Sequence, residues 1–178
     1  CSDWHVDRYT AGLCRFDDVV RSARAVVALA KSERCDGFVF MGDLANPGPP
    51  AHRCSAFAIE VASDLASAGI WSRWLVGNHD VVEDGSGSST LSPLAAFAET
   101  LEGSVPAGGP MGIRATLVWS KPSIEVLSFS EDVLAVALPH PARGSGYTPE
   151  SFIRDSVGEV LLGGPSQPTR QPRVIIVF

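Results

Sequence analysis

The chain has 178 residues, of which 45% are hydrophobic, and this is enough for one substantial core but seldom for two. Its 14 basic and 20 acidic side chains give a net charge of -6, which disfavours nonspecific attraction to polyanions. No apolar stretch reaches the roughly 18 residues of a membrane helix, and no signal-peptide pattern opens the chain. We therefore expect a single domain over residues 1–178, located in the cytoplasm.

The first half of the chain alternates between helical and strand-like hydrophobic patterns. Apolar residues recur at three- and four-residue spacings over 16–34 and 51–68, and Gly69 is suited to end the second stretch. Each helical stretch is followed by a short apolar run, at 37–41 and at 70–76, that is typical of a buried strand. Because strand–helix–strand units generally form parallel sheets with right-handed crossovers, the sequence predicts an α/β fold of βαβ units.

The second half of the chain is less regular and contains more loops. A helix is predicted at 93–101, before a Gly/Pro stretch at 106–112. Three strand-like segments joined by short connections are expected to pair as a β-meander: 115–119, 123–128 and 133–138. A last helix is predicted at 148–162, with Thr148 as its cap, and a last strand at 173–178.

Both ends of the chain lack the features of a domain boundary. The chain begins at Cys1 with loop-like residues, and it stops at Phe178 inside a β-branched apolar run. We therefore expect the sequence to be a fragment of a longer protein, truncated before a first strand and continuing beyond Phe178.

The four cysteines are expected to be free thiols. They are widely spaced along the chain: Cys1, Cys14, Cys35 and Cys54. Because metal-binding cysteines usually come in close pairs and no Cys-x-x-Cys motif is present, the sequence predicts neither a zinc site nor a disulfide from them.

Three short polar clusters carry the candidate chemistry. They are Asp3-Trp4-His5, Gly42-Asp43 and Gly77-Asn78-His79-Asp80. The last two directly follow predicted strands, and ligands in open parallel sheets bind beyond the carboxyl ends of the strands. We therefore expect the clusters to meet at one rim, where Gly42 and Gly77 let the backbone turn sharply.

This set of side chains suits divalent metal ions. Carboxylate, amide oxygen and imidazole together favour manganese, iron or zinc over the all-oxygen cage expected for calcium. Two ions about 3.5–4 Å apart, bridged by an aspartate, can lower the pKa of a water and bind phosphate oxygens. A pair of such ions at this rim would therefore suit the hydrolysis of a phosphate ester.

In their order, the clusters resemble the motifs of the calcineurin-like metallophosphoesterases: Asp-x-His, Gly-Asp and Gly-Asn-His-Asp/Glu. The resemblance implies an αββα sandwich and four metal ligands: Asp3 and His5 for one ion, Asp43 as the bridge and Asn78 for the other ion. It also implies that His79 contacts the substrate phosphate or leaving group and that Asp80 orients His79. The resemblance is strongest over the first 80 residues.

Two features depart from the family pattern. The later His and Gly-His-x-His motifs are not found in the sequence, and we expect them beyond Phe178. His140, which stands between two prolines after a predicted strand, is the alternative candidate ligand. Asn46 occupies a position where many relatives have Asp, so a carboxylate that could support the ligands is replaced by an amide.

Within the family, the chain is most similar to the DNA-repair exonucleases that include the nuclease subunit of bacterial SbcC-SbcD complexes. The likeness includes the segment 138–141, Leu-Pro-His-Pro, after a predicted strand. It implies DNA as a substrate and an ATPase partner, with Arg143 and Arg154 as candidate phosphate contacts. Trp71 and Trp74 alternate as in a strand, so they are expected in the core and not as base-stacking platforms.

Two other classes of function are weighed against the hydrolase. The alternative is a non-catalytic protein-binding module with the same fold, favoured if the continuation of the chain lacks histidines. A nucleotide-binding domain without hydrolysis is disfavoured, because the chain has neither a Gly-x-Gly-x-x-Gly motif nor a Walker-type Gly-Lys loop. Monoesters, diesters and DNA ends all suit the same metal pair, so the motifs leave the substrate open.

Overall fold

The computed structural model describes residues 1–46, 52–82, 88–101, 115–121, 123–126, 133–140, 148–152, 154 and 173–177. In these ranges the elements follow one another as β1 (Tyr9–Thr10), β2 (Leu13–Cys14), α1 (Phe16–Ser32), β3 (Gly37–Phe40), α2 (His52–Ser67), β4 (Trp71–Leu75), α3 (Ser92–Leu101), β5 (Thr116–Trp119), β6 (Ser123–Val126), β7 (Val133–Ala137), α4 (Pro149–Phe152) and β8 (Arg173–Val177). None of the helices in this part of the chain is long and apolar enough to span a membrane.

The parallel βαβ unit predicted in the first half of the chain is present. β3 and β4 pair in parallel, with Gly37 opposite Trp71 and Phe40 opposite Trp74, and α2 connects them. Gly69 follows α2 with φ 76°, the left-handed conformation that commonly ends a helix. The predicted helices and strands of this half are confirmed, with ends that differ by up to two residues.

The predicted three-strand meander is wrong for its first strand. β5 pairs in parallel with β4, and the described strands form one sheet of order β3-β4-β5 and another of order β6-β7-β8. β6 and β7 are antiparallel, as in a meander, whereas β7 and β8 are parallel. The reason lies in α3, which follows β4 in the chain, precedes β5 and packs against β5. It therefore serves as the crossover connection between these two parallel strands.

The last predicted helix is described only at its beginning. The Ser151 N–H donates to Thr148 Oγ1 at 3.2 Å, so Thr148 caps α4 as predicted, and Pro149 is its first residue. Residues 153 and 155–162 of this predicted helix, the Gly/Pro stretch at 106–112 and Arg143 lie outside the described residues.

The first sheet has a core on each of its two faces. Phe38, Phe40 and Trp74 point to one face, where they pack with buried side chains of α1, α2 and α3. Leu75 and Trp119 point to the other face and pack against Ala135 and Ala137 of β7. Helices therefore cover one face and the second sheet covers the other, which agrees with the predicted α/β sandwich class. Trp71 and Trp74 lie in these two cores, as predicted.

A charged pair crosses the space between the two sheets. Arg73 of β4 is fully buried, and its Nε lies 2.8 Å from each carboxylate oxygen of Glu125 in β6. The indole N–H of Trp119 donates to the same carboxylate at 3.1 Å. These contacts join the first sheet to the second through side chains alone.

Candidate metal centre

The first polar cluster is held beside the end of β3 by backbone hydrogen bonds. The Asp3 N–H donates to the Gly42 carbonyl at 3.0 Å. The His5 N–H then donates to the Asp43 carbonyl at 3.1 Å. This parallel run places Asp3 and His5 directly beside Asp43, at the carboxyl end of the strand where the sequence predicts the site.

Asp3, His5 and Asp43 form a compact group of potential metal ligands. One ligand atom from each residue lies within 4.8 Å of the others. His5 Nε2 is 3.9 Å from Asp3 Oδ1 and 3.9 Å from Asp43 Oδ2. These separations are too long for hydrogen bonds, and they leave room for a cation between two carboxylates and an imidazole.

The His5 ring is oriented by a backbone carbonyl. Its Nδ1 lies 3.2 Å from the Ala45 oxygen, which can only accept a hydrogen bond, so Nδ1 carries the proton in this contact. The lone pair is then on Nε2, the atom that faces the two carboxylates. Metal-binding histidines are commonly arranged in this way.

The three potential ligands share an unusual backbone conformation. Asp3, His5 and Asp43 have φ values of 57°, 43° and 61°, in the left-handed region that non-glycine residues seldom adopt. Such a conformation costs on the order of 1–3 kcal/mol for each residue and persists only where the surroundings impose it. Its recurrence at all three positions supports a functional role for this group.

Gly42 and Gly77 allow the second and third clusters to approach each other. Gly42 has φ 90°, which agrees with the predicted sharp turn, and a Cβ added to it would lie 2.8 Å from Gly77 Cα. A Cβ on Gly77 would collide with the Asp43 carboxylate. Gly77 has no positive φ, so its requirement is for space and not for a turn.

The third cluster brings His79 and Asn78 to the same rim. The His79 N–H donates to Asp43 Oδ1 at 3.2 Å, and the His79 ring stands edge-on to the His5 ring with centroids 5.0 Å apart. Asn78 is exposed, and with Asp3 and Asp43 it lines an open pocket of about 350 Å³. The structure therefore brings all the metal-ligand candidates and His79 to one place.

Asp80 is engaged in contacts that the sequence did not indicate. Its carboxylate is fully buried and accepts four backbone hydrogen bonds, from the N–H groups of Asp43, Leu44, Ala45 and Gly77. The expected orientation of His79 by Asp80 has no hydrogen bond in support, because in the described part of the chain His79 Nδ1 is buried without a partner. Burial raises the pKa of the Asp80 carboxyl, and the four backbone hydrogen bonds oppose this shift.

Asp7 is a further residue of the rim that the sequence analysis did not identify as a support. Asp7 Oδ1 accepts the Asn46 N–H at 2.7 Å and the Asn46 side-chain amide at 3.2 Å, so it anchors the described part of the loop that carries Asp43. Its place two residues after the Asp-x-His motif is the signal that could have indicated it.

The alternative ligand His140 lines the same pocket as Asp3, Asp43 and Asn78, and its N–H donates to the Val76 carbonyl at 3.0 Å. Arg154 is exposed.

A family model described as calcineurin-like phosphoesterase matches residues 1–150. The matched region contains the three polar clusters and His140. A search of curated proteins finds no match to the chain.

Proposed function

Because this chain belongs to the calcineurin-like phosphoesterase family, we propose that its polar rim binds two divalent metal ions and hydrolyses phosphate esters. The observation that carries the proposal is the position of His5 Nε2, 3.9 Å from a carboxylate oxygen of Asp3 and 3.9 Å from one of Asp43. Bound divalent ions supply charge neutralisation and activation of water for such a hydrolysis.

In this proposal the donor atoms at the rim are shared between two ions. Asp3 and His5 would hold one ion and Asn78 the other, with Asp43 between them. The two oxygens of Asp43 are already turned in different directions, since Oδ2 faces His5 and Oδ1 accepts the His79 N–H. A carboxylate that faces two neighbours in this way is suited to bridge two ions.

His79 is proposed to contact the substrate phosphate or the leaving group. Its Nδ1 is buried, so Nε2 is the ring atom through which it would reach a substrate. A proton held at Nε2 would stabilise the departing oxygen of the ester, which is general acid catalysis. In this proposal Asp80 contributes to catalysis through the backbone of the Asp43 loop.

The finer proposal for the substrate is a phosphate diester, with a DNA end as one such diester. Its support is the likeness of the segment 138–141 to the exonuclease branch, and His140 of that segment lines the pocket beside Asp3, Asp43 and Asn78. An ATPase partner rests on the same likeness, whereas manganese, iron or zinc as the metal rests on the donor set of carboxylate, amide oxygen and imidazole. The net charge of -6 requires that any contact with DNA be local.

Mn²⁺ titration of the natural protein by calorimetry tests the metal site, and hydrolysis of an aryl phosphate diester tests the reaction. The proposal expects Mn²⁺ binding and hydrolysis that a chelator abolishes. Parallel assays with an aryl phosphate monoester and with linear duplex DNA separate the substrate classes. A folded protein that binds no Mn²⁺ and hydrolyses none of these esters would instead support the non-catalytic protein-binding module.

A further inference from the structure

We infer that Asp80 is a positioning residue that clamps the Asp43 loop against the Gly77 loop and so presets Asp43 and His5 for metal binding. The inference rests on the proposed function for the role of the metal, but the clamp itself consists of contacts between described residues.

The clamp joins two loops through a single carboxylate. Asp80 Oδ2 accepts the N–H of Asp43 at 2.9 Å and the N–H of Gly77 at 3.0 Å, so one oxygen spans both loops. Oδ1 accepts the N–H of Leu44 at 2.9 Å and that of Ala45 at 3.3 Å. The backbone of three consecutive residues therefore follows the position of this one side chain.

These contacts reach both kinds of ligand in the metal site. Asp43 is clamped directly, through its own N–H. His5 is reached indirectly, because Ala45 donates its N–H to Asp80 and offers its carbonyl to His5 Nδ1 at 3.2 Å. A displacement of Asp80 would thus move the bridging carboxylate and release the imidazole.

The strained backbone of Asp43 requires contacts that hold it in place. Asp43 has φ 61°, and a non-glycine residue keeps such a conformation only where its surroundings impose it. Asp80 is itself held firmly, since it is fully buried and the Thr90 N–H donates to its carbonyl at 2.8 Å. Without the clamp, Asp43 is expected to relax and to turn its carboxylate away from His5.

A carboxylate is required because four donors converge on it. Two carboxylate oxygens offer about four acceptor positions, enough for the four N–H groups. The side-chain amide introduced by Asp80→Asn would offer one oxygen and direct its own N–H groups at two of the donors. This substitution therefore breaks the clamp while it changes the side-chain volume very little.

The test compares Asp80→Asn with Glu125→Gln, which alters a second hydrogen-bonded carboxylate that lies between the sheets, away from the rim. Calorimetry measures Mn²⁺ affinity, and urea unfolding measures stability. Loss of a partner that supports metal ligands typically weakens metal affinity about 10- to 100-fold, and we expect that loss for Asp80→Asn. Glu125→Gln is expected to lower stability and to leave Mn²⁺ affinity within about twofold, because it touches no ligand.

The inference is overturned if Asp80→Asn folds and binds Mn²⁺ as tightly as the natural protein. It is also overturned if both variants lose affinity in proportion to their loss of stability, since Asp80 would then be a structural residue only. If the natural protein itself binds no Mn²⁺, the proposed function fails, and the clamp is still tested by amide exchange.

Amide hydrogen exchange in the natural protein tests the clamp even if Asp80→Asn does not fold. The N–H groups of residues 43, 44, 45 and 77 are expected to exchange at least about 10²-fold more slowly than in an unfolded chain, because each is bonded to a buried acceptor. Exchange of these four amides at the rate of an unfolded chain would rule the clamp out.

Discussion

Asp80 and Glu125 are both buried or partly buried carboxylates, and they are held in opposite ways. Asp80 accepts hydrogen bonds from four backbone N–H groups of two loops. Glu125 accepts from side chains, the guanidinium of Arg73 and the indole of Trp119. A carboxylate bound by backbone determines where a loop lies, whereas one bound by side chains joins elements whose backbone is already determined by their sheets.

We expect this difference to separate residues that control metal binding from residues that control the stability of the fold. The clamped loops carry residues with strained backbone and face an open pocket, as is common at functional sites. The pair between the sheets lies within regular strands and against an apolar core. Changes near Asp80 are therefore expected to alter metal binding, and changes near Glu125 to alter the free energy of unfolding.

The largest expected effect follows from removing the charge that the clamp positions. Asp43→Asn takes away the carboxylate shared by both proposed ions, so Mn²⁺ binding and diester hydrolysis should be lost together. Calorimetry and an aryl phosphate diester assay measure the two losses. Asp17→Asn, an exposed change in the first turn of α1, is the matched control and should leave both quantities unchanged.

His79→Asn should separate catalysis from metal binding at the same rim. The proposed general acid is removed while all four metal-ligand candidates remain, so hydrolysis should fall by about 10²–10⁴ and Mn²⁺ affinity should change little. Single-turnover rates at saturating Mn²⁺ provide the measurement. If the variant keeps its full rate with metal bound, His79 has no part in the chemistry.

Arg73→Met should produce the converse result, lower stability with an intact site. Removing one partner of a buried ion pair typically costs about 3–5 kcal/mol, and the cost here should lie near the lower end because Glu125 is partly exposed. Urea unfolding measures this loss. Adding Glu125→Leu to Arg73→Met should recover stability, because the unpaired charge is then gone. Weaker Mn²⁺ binding by the folded single variant would contradict the separation of the two regions.

The smallest expected effect concerns the surface thiol of Cys14, which is bonded by one backbone N–H and by one side chain. The pKa of this thiol is lowered first by a hydrogen bond from the Phe16 backbone N–H and then by the Arg53 side chain, whose guanidinium lies 3.2 Å from the sulfur. Arg53→Gln should raise the thiol pKa and reduce the thiolate fraction at pH 7.5, which slows alkylation by less than about tenfold because the backbone bond remains. Exposed Cys35 is the control, and its labelling rate should not change.

Buried Cys54 provides an internal comparison for the alkylation of Cys14. Burial raises the pKa of its thiol to about 12, so almost no thiolate is present at pH 7.5. Mass spectrometry after partial alkylation should find Cys14 labelled first and Cys54 labelled only when urea unfolds the protein. Labelling of Cys54 in the folded protein at the rate of Cys14 would contradict the burial of this residue.

Local patterns in the sequence predicted most of the elements. The three- and four-residue spacing of apolar side chains in α1 and α2 arises within each helix, so it needs no knowledge of the neighbours. The pairing of β5 could not be predicted in this way, because a short apolar strand suits a hairpin and a parallel sheet equally well. Its place beside β4 depends on how α3 packs, which is a contact between segments distant in sequence.

The sequence by itself determined that Asp43 and Asn78 would follow strands and face one rim, because the carboxyl ends of parallel strands share an edge. Asp3 follows no strand in the described residues and joins the rim through its backbone hydrogen bond to Gly42. Their service as metal ligands stays a prediction. Only the tertiary structure decided what holds that rim in place: the acceptor for the His5 proton, the space that requires Gly77, and the four donors that meet at Asp80. The donors at Asp80 are backbone N–H groups, which every residue except proline carries, so the residue types do not reveal which donors meet this carboxylate.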